Sequence, residues 1–244
     1  MRCQPPSTFQ VYIWLKSKQS CLLCDETTDA IFPICTGCET DLPWLGDQCE
    51  RCALPMPMAG LTCGQCLRHP PAFSEVVVPW RYDFPIDSLV TRFKHQGKWP
   101  MGRLLAELLG QSLHYRFAEG LPRPDCLLPV PLASKRLRQR GYNQAAMLAR
   151  WLGAQVDIPM DERLLLRVLE TPAQQGLDAK ARKQNLRKAF ALADSAQIKD
   201  RHFAVVDDVL TTGATANALA RLLMDAGACR VDVYCLARTP KPED

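Results

Sequence analysis

No stretch of the 244 residues approaches the roughly 18 consecutive apolar side chains that a membrane span requires. The one early apolar stretch, Val11 to Leu15, is too short for the core of a secretory signal. Both absences make the cytoplasm the expected compartment. Gly-Lys-Ser/Thr is missing as well, which excludes a nucleotide P-loop. Aromatic residues are scarce at 7%, so a module that stacks single-stranded bases has few rings to use beyond Trp44, Trp80, Tyr82, Trp99 and Tyr142. Nor is there a strong excess of one charge. The formal net charge of +4 divides into 5 basic and 7 acidic residues through Pro70 and 25 and 19 beyond it. That mild surplus suits anionic ligands but falls short of a nucleic-acid stripe.

Cysteine, by contrast, is abundant, with 12 in the chain. Cytosolic thiols stay reduced, so close cysteine doublets point to metal rather than to disulfides. Cys21-x-x-Cys24 and Cys35-x-x-Cys38 recur, offset by 28 residues, as Cys49-x-x-Cys52 and Cys63-x-x-Cys66. Each doublet can present two thiolates to a tetrahedral zinc, and eight thiolates close two sites with no open position, so both are expected to be structural. Such a site contributes about 10 to 16 kcal/mol of folding free energy. Pro33, Pro43, Pro55 and Pro57 interrupt this stretch, which argues against a core of long helices or strands. Sequential pairing suits the short spacing, and crossed pairing stays open. Cys3, Cys126, Cys229 and Cys235 fall outside the pattern.

Beyond Pro71 the apolar pattern alternates between strand and helix. Strands are predicted at Val76 to Trp80, Cys126 to Val130, Leu164 to Val168, Phe203 to Val206 and Val231 to Leu236. Helices are predicted at Ile86 to His95, Gly102 to Phe117, Asn143 to Leu152, Asp178 to Lys188 and Ala216 to Ala226. This order implies an α/β domain with a mostly parallel sheet, in which ligands sit beyond the carboxyl ends of the strands.

The loops after two of those strands carry the chemistry. Phe203 to Val206 leads into Asp207-Asp208, then Thr211-Thr212-Gly213-Ala214-Thr215 at the start of a helix. Paired carboxylates accept hydrogen bonds from ribose hydroxyls and stabilise positive charge at an anomeric carbon. A hydroxyl-rich turn at a helix N-terminus offers N–H groups and a favourable dipole to a monophosphate. Lys135, Arg136, Arg138 and Arg140 follow the earlier strand within six residues and read as a basic loop, with Gly141 for the turn and Asn143 as helix cap. Guanidinium forks there match a diphosphate. A third segment, Thr171-Pro172-Ala173-Gln174-Gln175-Gly176-Leu177, reads as a covering loop, with Arg182 and Asn185 on the next helix able to reach phosphate.

The run around Asp207 resembles the phosphoribosyl diphosphate signature of type I phosphoribosyltransferases. The cysteine repeat together with Arg136 to Gln144, Thr171 to Leu177 and Val206 to Thr215 resembles the ComF/GntX family over roughly Cys21 to Thr239. The resemblance implies a double zinc ribbon ahead of a type I phosphoribosyltransferase fold, an association with DNA uptake or the use of DNA as nutrient, and binding of 5-phosphoribosyl 1-diphosphate with Mg2+. The division expected is a leader at 1–20, the double ribbon at 21–70 and the phosphoribosyltransferase-like domain at 71–244. The family's Lys-Tyr-x-Gly-like element reads Lys94-His95-Gln96-Gly97 here, and His95 is expected to be an exposed helix-end residue. Two functions stay open on the residues: transfer of a phosphoribosyl group to an unnamed acceptor, with Asp207 and Asp208 catalytic, or sensing of the sugar diphosphate coupled to single-stranded DNA or a DNA-processing partner.

Overall fold

The computed structural model describes residues 19–169, 188–194 and 197–240. By compactness the chain divides into two units, Met1–Leu42 and Pro43–Asp244. In the first, β1 (Gln19–Ser20) pairs antiparallel with β2 (Thr27–Thr28), and a one-turn helix, α1 (Thr36–Thr40), opens at Cys35. Cys21, Ile34, Leu42 and Thr28 are the buried residues described there, too few to hold the segment without a metal.

The second unit begins with a similar helical turn, α2 (Gly64–Arg68), that follows Cys63. Two short strands, β3 (Val76–Val77) and β4 (Trp80–Arg81), precede the neighbouring helices α3 (Ile86–Gln96) and α4 (Trp99–Ala118). Then come β5 (Cys126–Pro129), α5 (Ser134–Arg140), α6 (Gln144–Val156), β6 (Leu165–Arg167) and β7 (Phe190–Leu192). The chain closes with β8 (His202–Leu210), α7 (Ala214–Asp225) and β9 (Arg230–Arg238).

The central sheet has the order β3-β9-β8-β5, with β4 also on β9, and every pairing in it is parallel. Val78-Pro79 separates β3 from β4 because proline has no N–H for the ladder. Strands β8 and β9 are buried along most of their length, with wholly buried central runs Phe203 to Val206 and Val233 to Ala237, as strands covered on both faces must be. At their amino-terminal ends His202, Asp232, Arg230, Glu75 and Arg116 form a connected set of ion pairs, which leaves the carboxyl-terminal ends for a ligand.

The parallel α/β sheet expected from the sequence is the one observed, with four local corrections. First, β8 does not stop at Val206. It continues to Leu210 because β9 keeps pairing with it through Leu210↔Arg238, so the two aspartates lie within the strand. Second, the predicted basic loop is the helix α5, closed by Gly141 at φ 83°. Third, the helix expected from Gly102 starts at Trp99, with Pro100 in the first turn, where its missing N–H costs nothing. Fourth, the predicted strand near Leu164 belongs outside the main sheet and pairs antiparallel with β7. The predicted helix Asp178 to Lys188, the loop Thr171 to Leu177 and Arg182 lie outside the described residues, Lys188 excepted.

Candidate functional site

Beyond the carboxyl ends of β5 and β8 opens a cavity of about 780 Å³, within the usual range for small-molecule sites. Asp207 and Asp208 form one wall with Thr215 of α7. Asp207 Oδ1 accepts from the Asp208 N–H at 2.9 Å. Asp208 is only 4% exposed; its Oδ1 meets Lys94 Nζ at 2.9 Å, while Oδ2 accepts no hydrogen bond among the described residues. Burial, and then the neighbouring Asp208 charge, push the Asp207 carboxyl up to about 8, against the pull of the Asp208 N–H and of Lys94. A buried carboxylate oxygen without a donor is costly unless a ligand supplies one.

After β8 the chain turns through Thr211 and Thr212 to Gly213, whose φ of 72° a residue with Cβ rarely adopts. Gly213 caps α7 without any side-chain hydrogen bond, and the Ala214 N–H is met by Thr212 Oγ1 at 3.3 Å. A helix N-terminus capped by glycine leaves first-turn N–H groups for an anion.

Cations face this wall. Arg136 and Arg140, one helical turn apart on α5, line the cavity, and so do Lys94, at the end of α3, and Arg167 of β6. Asn143 ties the start of α6 to the end of β5: its side chain accepts from the Ala145 N–H and donates to the Val130 carbonyl, both at 3.1 Å. Tyr142 donates to the Phe93 carbonyl and ties α3 to the same corner. The cavity therefore juxtaposes two carboxylates with four cationic side chains.

Of the residues singled out from the sequence, Asp207, Asp208, Arg136, Arg140 and Thr215 share the cavity wall. Thr211, Thr212, Gly213 and Ala214 form the turn leading to it, and Lys135 and Arg138 sit on α5 among the wall residues but do not themselves line the cavity. His95 is exposed, as expected, yet lines the cavity beside Gln96 and Gly97. Arg167 was not singled out, and Lys94 was named only within the Lys94 to Gly97 element, with no role given to it. Their signal is weak, because a lysine in a helix's last turn reads as a complement to the dipole, and Lys94 reaches Asp208 only through the tertiary fold.

The cysteines gather as Cys21, Cys24, Cys35 and Cys38, and as Cys49, Cys52, Cys63 and Cys66, with all sulfurs of a set within 4.8 Å of one another. This is the sequential pairing. Cys24 and Cys35 Sγ lie 3.7 Å apart and Cys52 and Cys63 Sγ 3.8 Å apart, close to the edge of a tetrahedron with metal–sulfur bonds of about 2.3 Å. The thiols of each set differ: burial works against Cys21 and Cys49, but N–H groups outweigh it and bring them down to about 6 and about 7, while burial and neighbouring cysteines push Cys38 and Cys66 up. Two structural Zn2+ sites fit these donors. Cys126 and Cys235 are buried and Cys229 is exposed; burial and the two aspartates push Cys235 well up, so it stays a thiol.

Two clusters of four cysteines each, a parallel sheet and an acidic pair before a glycine-capped helix define a zinc-ribbon protein with a phosphoribosyltransferase-type domain. Residues 18–67 match the Double zinc ribbon domain and residues 145–244 the Phosphoribosyl transferase domain. The chain is 37% identical over 209 residues to Competence protein F of Haemophilus influenzae, covering 85% of each. It is 37% identical over 211 residues to DNA utilization protein YhgH of Salmonella typhi, covering 84% of this chain and 90% of that one. The chain belongs to this Competence protein F/YhgH family, the ComF type that its motifs resemble. Among solved structures, purine phosphoribosyltransferase from Pyrococcus horikoshii is similar at a TM-score of 0.34 and 19% identity, covering 55% of this chain and 70% of that one.

Proposed function

We propose that the cavity binds 5-phosphoribosyl 1-diphosphate with Mg2+, and that the protein acts in the cytoplasm in DNA uptake or in the use of DNA as nutrient, as the names of its relatives suggest. The observation that carries the ligand assignment is the facing of the Asp207–Asp208 pair and of Thr215, in the first turn of a helix that has no side-chain cap, against Arg136, Arg140 and Arg167 in one cavity. In this reading the carboxylates hold the ribose hydroxyls and the cation, the turn Thr211 to Thr215 holds the 5-phosphate, and the α5 arginines hold the diphosphate. Mg2+ would supply charge neutralisation at the diphosphate. The cysteine-rich part, 21–70, serves as a structural module for the phosphoribosyltransferase-like remainder, 71–244.

Calorimetry with the sugar diphosphate and Mg2+ tests the assignment. Asp207→Ala with Asp208→Ala is expected to abolish the heat, and an unchanged titration in that variant would reject the site. Diphosphate release across a panel of nitrogenous acceptors separates a transferase from a sensor.

A second reading adds single-stranded DNA as a partner. Trp99 is 53% exposed and lies edge-on to Tyr142 at 6.2 Å, beside Lys98 and the cationic helix α5. An exposed ring next to cations is what base stacking uses. Trp99→Ala is expected to weaken oligonucleotide binding by about tenfold, and binding that ignores both this change and salt would remove DNA from the reading.

A further inference from the structure

The guanidinium of Arg238 ends β9 at 6% exposure and has no carboxylate within ion-pairing distance among the described residues. Its solvation is made of carbonyls. Nη1 donates to Leu210 O at 3.1 Å, to Thr239 O at 2.7 Å and to Thr211 O, while Nε donates to Cys52 O at 3.0 Å. Leu210 and Thr211 open the turn assigned to the phosphate, and Cys52 is a sulfur donor of the second cysteine cluster.

The geometry has a direct mechanical meaning. In a planar trans peptide the C=O and the following N–H point in opposite directions. Anchoring the Leu210 and Thr211 carbonyls on one guanidinium therefore turns the N–H groups of Thr211 and Thr212 away from it. A second thread runs in parallel. The segment after the cluster packs on the same turn: the Ala72 N–H donates to Asn217 Oδ1 at 2.7 Å, and Phe73 Cζ stands 4.0 Å from where a Cβ on Gly213 would sit. Cys52 and Ala53 both pack on the main hydrophobic core, Ala53 at a φ of 53° imposed by the cysteine knuckle.

We propose that Arg238 is a positioning residue through which the metal at Cys49, Cys52, Cys63 and Cys66 orders the phosphate turn, so that zinc occupancy of this second cluster sets the ligand affinity of the site. A zinc-bound Cys52 has a fixed carbonyl, and a fixed carbonyl holds the buried guanidinium that in turn holds Leu210 and Thr211. Without the metal, the charge loses a defined acceptor and the turn loses its clamp. The ligand half of this proposal rests on the function proposed above, whereas the ordering of the turn does not.

The test uses the full chain with zinc content measured. Hydrogen exchange is followed in peptides covering 209–217 and, as reference, in β5, for Arg238→Gln, Arg238→Lys and Cys66→Ser. Exchange in 209–217 is expected to rise about tenfold in Arg238→Gln and in Cys66→Ser, with Arg238→Lys in between, and in each case to exceed any rise in β5. The affinity for the sugar diphosphate with Mg2+ should fall in the same order. An unaltered turn in Cys66→Ser after loss of one zinc equivalent would overturn the proposal, and so would uniform acceleration across the sheet. An equal effect of Cys24→Ser, in the other cluster, would also overturn it. Should Cys66→Ser not fold, chelator titration of Cys24→Ser, whose other cluster is already disabled, reads the effect of emptying the second cluster alone. If the unaltered protein shows no heat with the sugar diphosphate, the ligand assignment falls, while hydrogen exchange still decides the coupling.

Discussion

Asp207 and Asp208 share one corner of the cavity but not one set of partners. Lys94 neutralises Asp208 directly, at 2.9 Å, and leaves Asp207 as the carboxyl that burial and its neighbour's charge raise to about 8. An acid whose folded value lies above its ordinary 3.8 holds its proton more tightly when folded. The stability this gives is complete below about 3.8 and is lost as pH rises towards 8. Asp207→Asn escapes that loss, so urea unfolding at about pH 8.5 should find the variant more stable than the parent by on the order of a few kcal/mol, with the difference vanishing near about pH 4. Ligand binding should show the reverse preference. A carboxylate that receives hydroxyls and a cation must be ionised, so affinity for the sugar diphosphate with Mg2+ should rise with pH up to about 8 and level beyond it. Calorimetry in two buffers of different ionisation enthalpy should detect proton release below that pH. Lys94→Met has a different signature: it strips Asp208 of the one charge partner that its buried side chain has among the described residues, with an expected loss of about 3 kcal/mol in denaturant unfolding.

At the level of elements, what the sequence made legible were the pieces whose logic is local. Phe203 to Val206 is an apolar run, and its burial in the central strand follows from composition alone. The strand's extension to Leu210 was not legible, because it depends on β9 pairing opposite residues that have no strand pattern of their own. Helix α5 was hidden for the opposite reason. It buries none of its residues, so no apolar stripe announces a period, and its identity rests on Gly141 closing the last turn. Lys94 was hidden because its partner is 114 positions away in sequence. The packing of α3 on α4 shows how such distant placement is secured. A Cβ on Gly102 would stand 2.6 Å from the Phe93 ring, and Phe93 is the residue before Lys94. Gly102→Ala should therefore displace the ring, destabilise the fold by about 1 to 3 kcal/mol in urea unfolding, and weaken ligand binding by shifting Lys94. Gly37→Ala, with open space around its Cβ position, should leave stability within about 1 kcal/mol.

On the scale of the whole molecule, the two cysteine clusters are alike in ligands and unlike in surroundings. The second lies within the larger compact unit, and Cys52 packs on that unit's main core. The first is surrounded by a unit whose described interior amounts to Cys21, Ile34, Leu42 and Thr28. An interior of that size falls well short of the conformational entropy of ordering the segment, so the metal must supply the balance. The larger unit, by contrast, owns a continuous sheet core of its own. Cys24→Ser should consequently release one of two zinc equivalents and unfold residues 19–42, seen as loss of hydrogen-exchange protection there, while the main calorimetric transition moves by less than about 4 °C. Cys63→Ser should release the other equivalent and lower the main transition itself, since the sulfur it removes belongs to a cluster that lies inside the larger unit. Equal shifts of the main transition in both variants would show that the clusters bear on one cooperative fold, and the assignment of separate structural roles to them would have to be given up.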